Sequence, residues 1–188
     1  MLWLIVLLGY LLGSIPTAYI AGHLLKSKDI RQIGDGNVGA ANAFHQLGAK
    51  IGIVVFFIDV GKGALAIFIA QAASLPQLAV LLTGLATVVG HNWPVFIGFR
   101  GGRGASTTIG VLLATVTQPM LILGVPAILV LLIKKNTTFA CAVLFIPLSL
   151  VSWWVGTPVP LIVYSVALPC LVGFTHFLRT RPKLVRQA

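Results

Sequence analysis

Residues 51–73 read IGIVVFFIDVGKGALAIFIAQAA, a long apolar run with Asp59 and Lys62 in its interior. A helix needs about 20 predominantly apolar residues to cross the hydrocarbon core of a bilayer, so this run predicts a transmembrane helix. Three residues apart on a helix, the two charged side chains share a face and can neutralise each other. Charged groups at membrane depth are candidates for function, and a purely structural ion pair is the alternative that the sequence leaves open.

The rest of the chain has the same apolar character. Of its 188 residues, 58% are hydrophobic and only 9% are charged, and the mean hydropathy is +1.03. This number of charges is too small to cover the surface of a soluble domain of this length. Lipid is therefore expected to be the main solvent. Six further spans are predicted, one of them short and rather polar (106–117): 1–25, 78–90, 106–117, 119–133, 139–155 and 160–178. The chain is therefore predicted to be an all-α integral membrane protein of seven transmembrane helices with short or re-entrant cytoplasmic segments, forming one domain over residues 1–188.

The basic residues predict the orientation of these spans. Twelve of the 13 lysines and arginines lie in the C-terminal tail or in the loops after the first, third and fifth spans, and Lys62 is the exception. Because basic residues accumulate on the cytoplasmic side, the N-terminus is predicted outside and the C-terminus in the cytoplasm of a multi-pass protein of the cell (plasma or inner) membrane. The short span 106–117 is needed for this alternation, since omitting it places Lys134 and Lys135 on the wrong side. The N-terminal run lacks a basic region and a clear cleavage site, so it is interpreted as the first span rather than a cleaved signal.

The net charge of +10 has two interpretations in a membrane protein. It is assigned to loops near anionic headgroups, with anionic substrates as a second possibility, and no nucleic acid partner is expected. Cys141 and Cys170 lie in apolar runs and are expected to be buried free thiols. The Cys/His spacing is not that of a metal site, and no metal is predicted.

The first cytoplasmic loop contains a glycine-rich stretch, IGDGNVGAANAFHQLG, at residues 33–48. Gly34, Gly36 and Gly39 frame Asn37, so the backbone can turn through positive φ and approach a ligand closely. The alternative is a flexible loop that caps the next helix. Residues 33–39 are called the glycine loop below.

A second polar stretch, GHNWPVFIGFRGGRG, covers residues 90–104. Pro94 ends the preceding helix. The aromatic residues of this stretch suit an interfacial or re-entrant segment. Arg100 and Arg103 then place two guanidinium groups around bare backbone at the start of a helix, which favours a phosphate site over a loop that merely anchors the helix. Residues 100–104 are called the arginine loop below. Of the four histidines, His91 adjoins this segment, whereas position alone assigns no role to His23, His45 or His176.

Together these segments resemble the bacterial acyl-phosphate:glycerol-3-phosphate acyltransferase family, the PlsY family of small seven-span membrane enzymes. The resemblance runs from the first residues to about Gly110 and is carried by four matches in the family's order. They are Gly13-Ser14-Ile15-Pro16, the stretch from Gly34 to Asn42, Asp59 with Lys62-Gly63, and GHNWPVFIGFRGGRGASTTIG, which is similar to a family pattern of the type GHxxPVFxxFKGGKGxAT.

The chain departs from the family pattern at several polar positions. The family loop usually reads G-S-G-N-x-G-A-T-N, with an arginine a few residues later, and the pattern near the C-terminus is His-Arg-x-Asn. Asp35 puts a negative charge where an anion would bind, which is unfavourable unless it is paired or points away. Cys141 stands where the family has a serine at the start of the sixth span, and both lysines of the arginine loop are replaced by arginine. The other residues at departing positions are Asp35, Ala41, His45, Phe177 and Arg179.

The resemblance implies acyl transfer from an acyl phosphate to the 1-hydroxyl of glycerol 3-phosphate, giving lysophosphatidate and phosphate in phospholipid synthesis. It implies no cofactor, and the expected partners are these two substrates and membrane lipid, with no obligate protein partner. His91 or His176 would accept the proton, and Asn37 would orient substrate. Phosphate and substrate binding is assigned to Ser14, Gly34, Gly36, Gly39, Asn42, Lys62, Arg100, Gly101, Gly102, Arg103 and Gly104. The alternative is a catalytically altered or inactive relative that acts as a membrane phosphate-lipid binder or small transporter.

Overall fold

The computed structural model of the protein describes residues 1–180, and all regular elements in this range are helical. Two 3₁₀ turns, Ile30–Gln32 and Val95–Ile97, lie in the polar connections. The predicted basic tail residues Arg181, Lys183 and Arg186 lie outside the described range. The helices are α1 (Leu2–Ser14), α2 (Thr17–Lys26), α3 (Ala40–Gln46), α4 (Ala49–Ala72), α5 (Gln77–Asn92), α6 (Ala105–Thr115), α7 (Thr117–Lys134), α8 (Thr137–Phe145), α9 (Leu148–Trp154) and α10 (Val159–Thr180).

Within residues 1–180, six helical segments are long and apolar enough to cross a membrane. Two of them are broken by a proline, since Pro16 separates α1 from α2 and Pro147 separates α8 from α9, and proline supplies no backbone N–H to the helix. The six correspond to all the predicted spans except 106–117. They are Leu2–Lys26, Ala49–Ala72, Gln77–Ile97, Thr117–Lys134, Thr137–Trp154 and Val159–Thr180.

The predicted span 106–117 is a helix of only 11 residues, α6. At 1.5 Å per residue it is about 16 Å long, roughly half the thickness of a hydrocarbon core. The residue before it, Gly104, lies against Asn92 at the end of α5, and its last residue, Thr115, lines a small cavity with Gln77 at the start of α5. Thus α6 follows most of the depth of α5 in the opposite direction, enclosed by other helices.

Helices α1, α4, α5 and α6 pack unusually closely because glycines lie where they cross. A Cβ atom on Gly13 of α1 would lie 2.0 Å from the carbonyl oxygen of Thr87 in α5, and one on Gly110 of α6 would lie 1.9 Å from that of Val60 in α4. Helices in membranes gain stability from such small residues because the backbones can approach and make van der Waals contacts. These four helices therefore form a tight centre around the polar residues of the next section.

The outer surface of the bundle is strongly apolar. Large side chains such as Trp3, Phe57 and Trp154 are more than half exposed, as expected where lipid replaces a protein core. Cys141 is partly buried and Cys170 is exposed, and both are free. The prediction that both thiols are buried is therefore wrong for Cys170, because an apolar run in this fold faces lipid as well as protein.

Candidate active site

A buried polar network lies where the break between α1 and α2 meets α4. Asp59 is 1% exposed, and its Oδ1 lies 2.8 Å from the Nζ of Lys62, which confirms the predicted pairing. The same oxygen accepts a hydrogen bond of 3.0 Å from the hydroxyl of Thr17 and lies 3.7 Å from Nδ1 of His91. Lys62 also donates to the carbonyl of Ile15 at 3.0 Å. Charged groups in a low-dielectric interior are tolerated when they are paired in this way.

This network fixes the proline break of the first span. Pro16 has no N–H to offer the helix, and at this break the carbonyl of Ile15 accepts hydrogen bonds from the amide of Thr17 at 3.1 Å and from Nζ of Lys62. Thr17 was not predicted, although its position directly after the proline was a usable signal. Ser14 is fully buried in the contact between α1 and α5, where a Cβ atom on Gly90 would lie 3.1 Å from its Oγ.

The arginine loop folds back onto the end of α5. The amide of Gly102 donates to the carbonyl of His91 at 3.0 Å, and that of Gly101 donates to the carbonyl of Asn92 at 3.3 Å. These two amides are therefore engaged with protein, which corrects the prediction that they bind phosphate. The two glycines instead provide space, since a Cβ atom on Gly102 would lie 2.0 Å from Nε2 of His91.

The C-terminal part of α10 holds the arginine loop from the other side. The hydroxyl of Thr175 donates to the carbonyl of Arg103 at 2.9 Å, and the guanidinium of Arg179 donates to the carbonyls of Gly101 and Asn92. In the sequence Arg179 is a basic tail residue and a departure from the family pattern, and its contacts with the arginine loop were not predicted. A basic residue in the last turn of the last helix carries no signal of which loop it meets.

The side chain of Asn42 in α3 holds the glycine loop through hydrogen bonds. Its side-chain amide donates to the carbonyls of Ile30, Ile33 and Asn37 at 3.2, 3.1 and 3.0 Å. A buried amide with three such partners has little donor capacity left, so Asn42 shapes the loop. Helix α3, which sequence analysis did not predict, provides the rigid base for this contact.

Two of the three loop glycines have the predicted positive φ. Gly34 has φ 60° and Gly36 has φ 69°, values that residues with a side chain rarely adopt. Gly39 differs, because it is extended with φ −142° as the residue before α3. A Cβ atom on Gly39 would lie 2.8 Å from Nδ2 of Asn37, so the close approach of that side chain, and not a positive φ, explains this glycine.

The glycine and arginine loops meet through an ion pair. One guanidinium nitrogen of Arg103 lies 2.9 Å from Oδ2 of Asp35, while Oδ1 of Asp35 accepts a hydrogen bond of 3.1 Å from the amide of Asn37. His176 of α10 lies close enough to interact electrostatically with both charges. Thus Asn37, Arg103 and His176 are brought together with Arg179, which shares α10 with His176.

The other predicted site residues lie elsewhere. Ser14, Lys62 and His91 are buried deeper in the bundle. His91 lies against the arginine loop at Gly101 and Gly102. Arg100 is exposed at the outer end of the arginine loop, next to Phe99. Gly104 lies against the side chain of Asn92 and has φ 87° at the start of α6.

Several buried polar atoms around the start of α6 have no hydrogen-bond partner in the described part of the chain. Buried polar groups in proteins are nearly always paired, so such atoms mark places where a polar ligand can bind. Most of them are donors or hydroxyls, which suits an anion. They are Nε of Arg103, Nδ2 and Oδ1 of Asn92, Oδ1 of Asn37, and the hydroxyls of Thr107 and Thr108.

A second ion pair, outside the membrane-spanning segments, supports the base of the glycine loop. Arg31 and Asp29 are 2.7 Å apart, and the hydrogen bonds from this guanidinium hold the pKa of the Asp29 carboxyl below its usual value. Arg31 also lies over the ring of Tyr19, 4.7 Å from its centroid. This pair resembles the Asp35–Arg103 pair chemically but bridges only neighbouring residues.

The chain is similar to known proteins along almost its whole length. Residues 3–186 match the family described as glycerol-3-phosphate acyltransferase. Glycerol-3-phosphate acyltransferase 4 of Dehalococcoides mccartyi is 52% identical over 178 residues, 95% of this chain and 96% of that protein. A glycerol-3-phosphate acyltransferase of Halalkalibacterium halodurans is 35% identical over 181 residues, 93% of this chain and 87% of that protein.

Two solved structures share the fold. Both are crystal structures of PlsY (YgiH), described as an integral membrane glycerol 3-phosphate acyltransferase. The glycerol 3-phosphate form superposes with a TM-score of 0.86 and 34% identity, covering 94% of this chain and 88% of that one. The lysophosphatidic acid form gives a TM-score of 0.81 and 33% identity, with 93% and 87% coverage. The chain therefore belongs to the glycerol-3-phosphate acyltransferase (PlsY) family of integral membrane proteins.

Proposed function

We propose that this chain is a membrane enzyme that transfers the acyl group of an acyl phosphate to the 1-hydroxyl of glycerol 3-phosphate. The products are lysophosphatidate and inorganic phosphate. One observation carries the proposal: the glycine loop, the arginine loop and the end of α10, which are far apart in the chain, meet at Arg103, whose guanidinium pairs with Asp35 and whose carbonyl accepts from Thr175. A relative solved in a glycerol 3-phosphate form and a lysophosphatidic acid form supports the acceptor and the product.

The proposed chemistry needs little beyond positioning and charge neutralisation. The acceptor hydroxyl attacks the acyl carbonyl carbon, and the bond from that carbon to the phosphate oxygen breaks as phosphate leaves. An acyl phosphate is already activated, so holding both substrates in line and balancing their charge supplies much of the rate. Arg103 is assigned to phosphate, with Asn37 and the unpaired donors near the start of α6 orienting the substrates. No metal or covalent intermediate is required.

His176 is the better candidate for the proton acceptor. It lies near Arg103 and Asp35, at the meeting point of the loops. His91 is enclosed between Asp59 and Gly102, so we assign it to positioning the arginine loop. A general base has to come within hydrogen-bond reach of the hydroxyl that it deprotonates, and the position of His176 fits that requirement better.

We further propose that the chain crosses the membrane seven times, with the N-terminus outside and the site facing the cytoplasm. The basic residues support the orientation, and the enclosed course of α6 along α5 supports a crossing despite its short length. Alkaline phosphatase fused after Ala73 is expected to be active, and fused after Lys135 inactive. Equal activity of the two fusions would contradict this topology.

The decisive experiment is acyl transfer by the purified protein. Incubation with palmitoyl phosphate and glycerol 3-phosphate is expected to release phosphate only when both substrates are present. Repeating the assay with acyl-CoA and acyl carrier protein thioesters tests whether the donor is the acyl phosphate. Release without glycerol 3-phosphate, or transfer only from a thioester, would contradict the proposal.

The alternative function, an inactive phosphate-lipid binder or small transporter, is not favoured. The departures that motivate it are Asp35, Ala41, His45 and Cys141. Asp35 nevertheless pairs with Arg103, and Arg179, a further departure from the family pattern, donates to the arginine loop. Loss of acyl transfer with retained phosphate binding would favour the alternative.

A further inference from the structure

The carboxylate of Asp35 forms an ion pair with the guanidinium of Arg103, which is proposed to bind substrate phosphate. Its Oδ2 lies 2.9 Å from a terminal nitrogen of Arg103, a distance typical of a charge-assisted hydrogen bond. The same carboxylate ties down the glycine loop through the amide of Asn37. A carboxylate and a phosphate oxygen are similar partners for a guanidinium, so the two compete for the same donors.

The two partners differ in how firmly they are held. The side chain of Arg103 is 20% exposed, and its backbone is fixed by Thr175, so its position is set by the bundle. The side chain of Asp35 is 47% exposed, and the residue lies between Gly34 and Gly36, both at positive φ, in a loop rather than a helix. Moving the Asp35 side chain therefore needs little rearrangement, whereas moving Arg103 does.

The charges favour displacement by phosphate. A phosphate ester carries up to two negative charges against one for the carboxylate, and it can accept two parallel hydrogen bonds from a guanidinium. Half-exposed ion pairs are weak because water screens them, so a stronger ligand can break the contact. The displaced carboxylate still lowers the affinity of the site for anions, because it remains close to Arg103.

We propose that Asp35 is an internal counter-anion of Arg103, which substrate phosphate displaces, so that this residue sets the affinity of the site for phosphate. The inference rests on the proposed function in one respect, namely that phosphate binds at Arg103. In the unliganded protein Asp35 neutralises Arg103 and joins the two loops. In the complex, phosphate takes its place.

The test is the substitution Asp35→Asn. Asparagine keeps the shape and the acceptor for the Asn37 amide but removes the charge, so the loop turn is retained. We expect the KM for glycerol 3-phosphate to fall by about two- to fivefold with little change in kcat, as for loss of a weak competing ion pair. Asp29→Asn is the matched control, because it removes the aspartate–arginine pair that lies just before the glycine loop, and its KM is expected to stay unchanged.

A second measurement does not depend on turnover. Inorganic phosphate is expected to raise the unfolding temperature of the purified protein, and to do so at lower concentration in Asp35→Asn than in the wild type. If phosphate stabilises both proteins in this way but the wild type transfers no acyl group, the proposed function fails while the inference stands. If Asp35→Asn does not fold, Asp35→Ser serves in both assays.

The inference is overturned if Asp35→Asn raises the KM, or leaves both the KM and the phosphate effect unchanged. A raised KM would mean that Asp35 bonds the acceptor itself, for example its hydroxyl groups. A lowered KM in Asp29→Asn as well would mean that net loop charge, rather than the contact with Arg103, sets the affinity.

Discussion

Replacing Gly102 by alanine tests whether the buried side of the bundle sets the position of the arginine loop. The added Cβ atom would lie 2.0 Å from Nε2 of His91, and real Cβ atoms essentially never come closer than 3.0 Å to another heavy atom. One of the two groups must therefore move by about 1 Å. The His91 ring is 6% exposed, next to Asp59, and has little room to retreat, so the loop is expected to shift instead.

A shift of this size matters because Arg103 follows Gly102 directly. Misplacement of a catalytic group by about 1 Å can lower the rate of a positioned reaction by about 100-fold. We expect Gly102→Ala to lose activity to about that extent in the palmitoyl phosphate assay, while the protein still inserts and purifies. Gly61→Ala is the control, since a Cβ atom on Gly61 meets nothing within 4 Å, and its activity is expected to be normal.

The double variant His91→Ala with Gly102→Ala separates sterics from catalysis. Removing the imidazole frees the space that the new methyl group needs, so the double variant is expected to be at least about tenfold more active than Gly102→Ala alone. Activity of Gly102→Ala within about threefold of wild type would refute the reasoning about the loop. Failure of the double variant to recover any activity would refute the assignment of His91 to positioning.

Three further predictions concern the charged residues. Arg103→Ala is expected to lower turnover by about 100-fold or more, with Arg103→Lys less affected because it keeps the charge, and near-normal turnover of Arg103→Ala would remove the arginine loop from the mechanism. Lys62→Met is expected to lower the unfolding free energy in detergent micelles by about 3–5 kcal/mol, because it leaves the buried Asp59 charge without its cation. Adding Asp59→Asn is expected to restore most of that loss. A double variant no more stable than Lys62→Met alone would contradict the pairing argument. Arg179→Met is expected to raise the KM for glycerol 3-phosphate about tenfold by releasing the arginine loop from α10, and unchanged kinetics would show that the loop keeps its position without Arg179.

Most of the membrane architecture was predictable from composition and periodicity. A run such as 51–73 has few alternatives to a spanning helix, because unpaired backbone groups are too costly in lipid. The short helix α6 shows the limit of this reasoning. Its length falls below that of a spanning helix, and only its enclosure by neighbouring helices explains how it follows the depth of the bundle.

The candidate site was predicted less completely. The ion pair between Asp59 and Lys62 follows from their spacing on one helix, and the structure confirms it. The contacts of Arg179 and Asp35 with the arginine loop join residues about 70 or more positions apart, so no local pattern signals them. The phosphate role of the Gly101 and Gly102 amides was wrong because their donors are used within the fold.

The membrane class, the approximate spans, the two glycine-containing loops and the family can all be inferred without a structure. These properties depend on hydropathy and on the spacing of nearby residues, and both are properties of the amino-acid sequence. The contacts that separate the proposed site residues from the residues supporting them appear only in the folded chain. That distinction depends on how close helices approach, as at Gly13 and Gly110, and on which distant carbonyls and carboxylates then compete for each arginine.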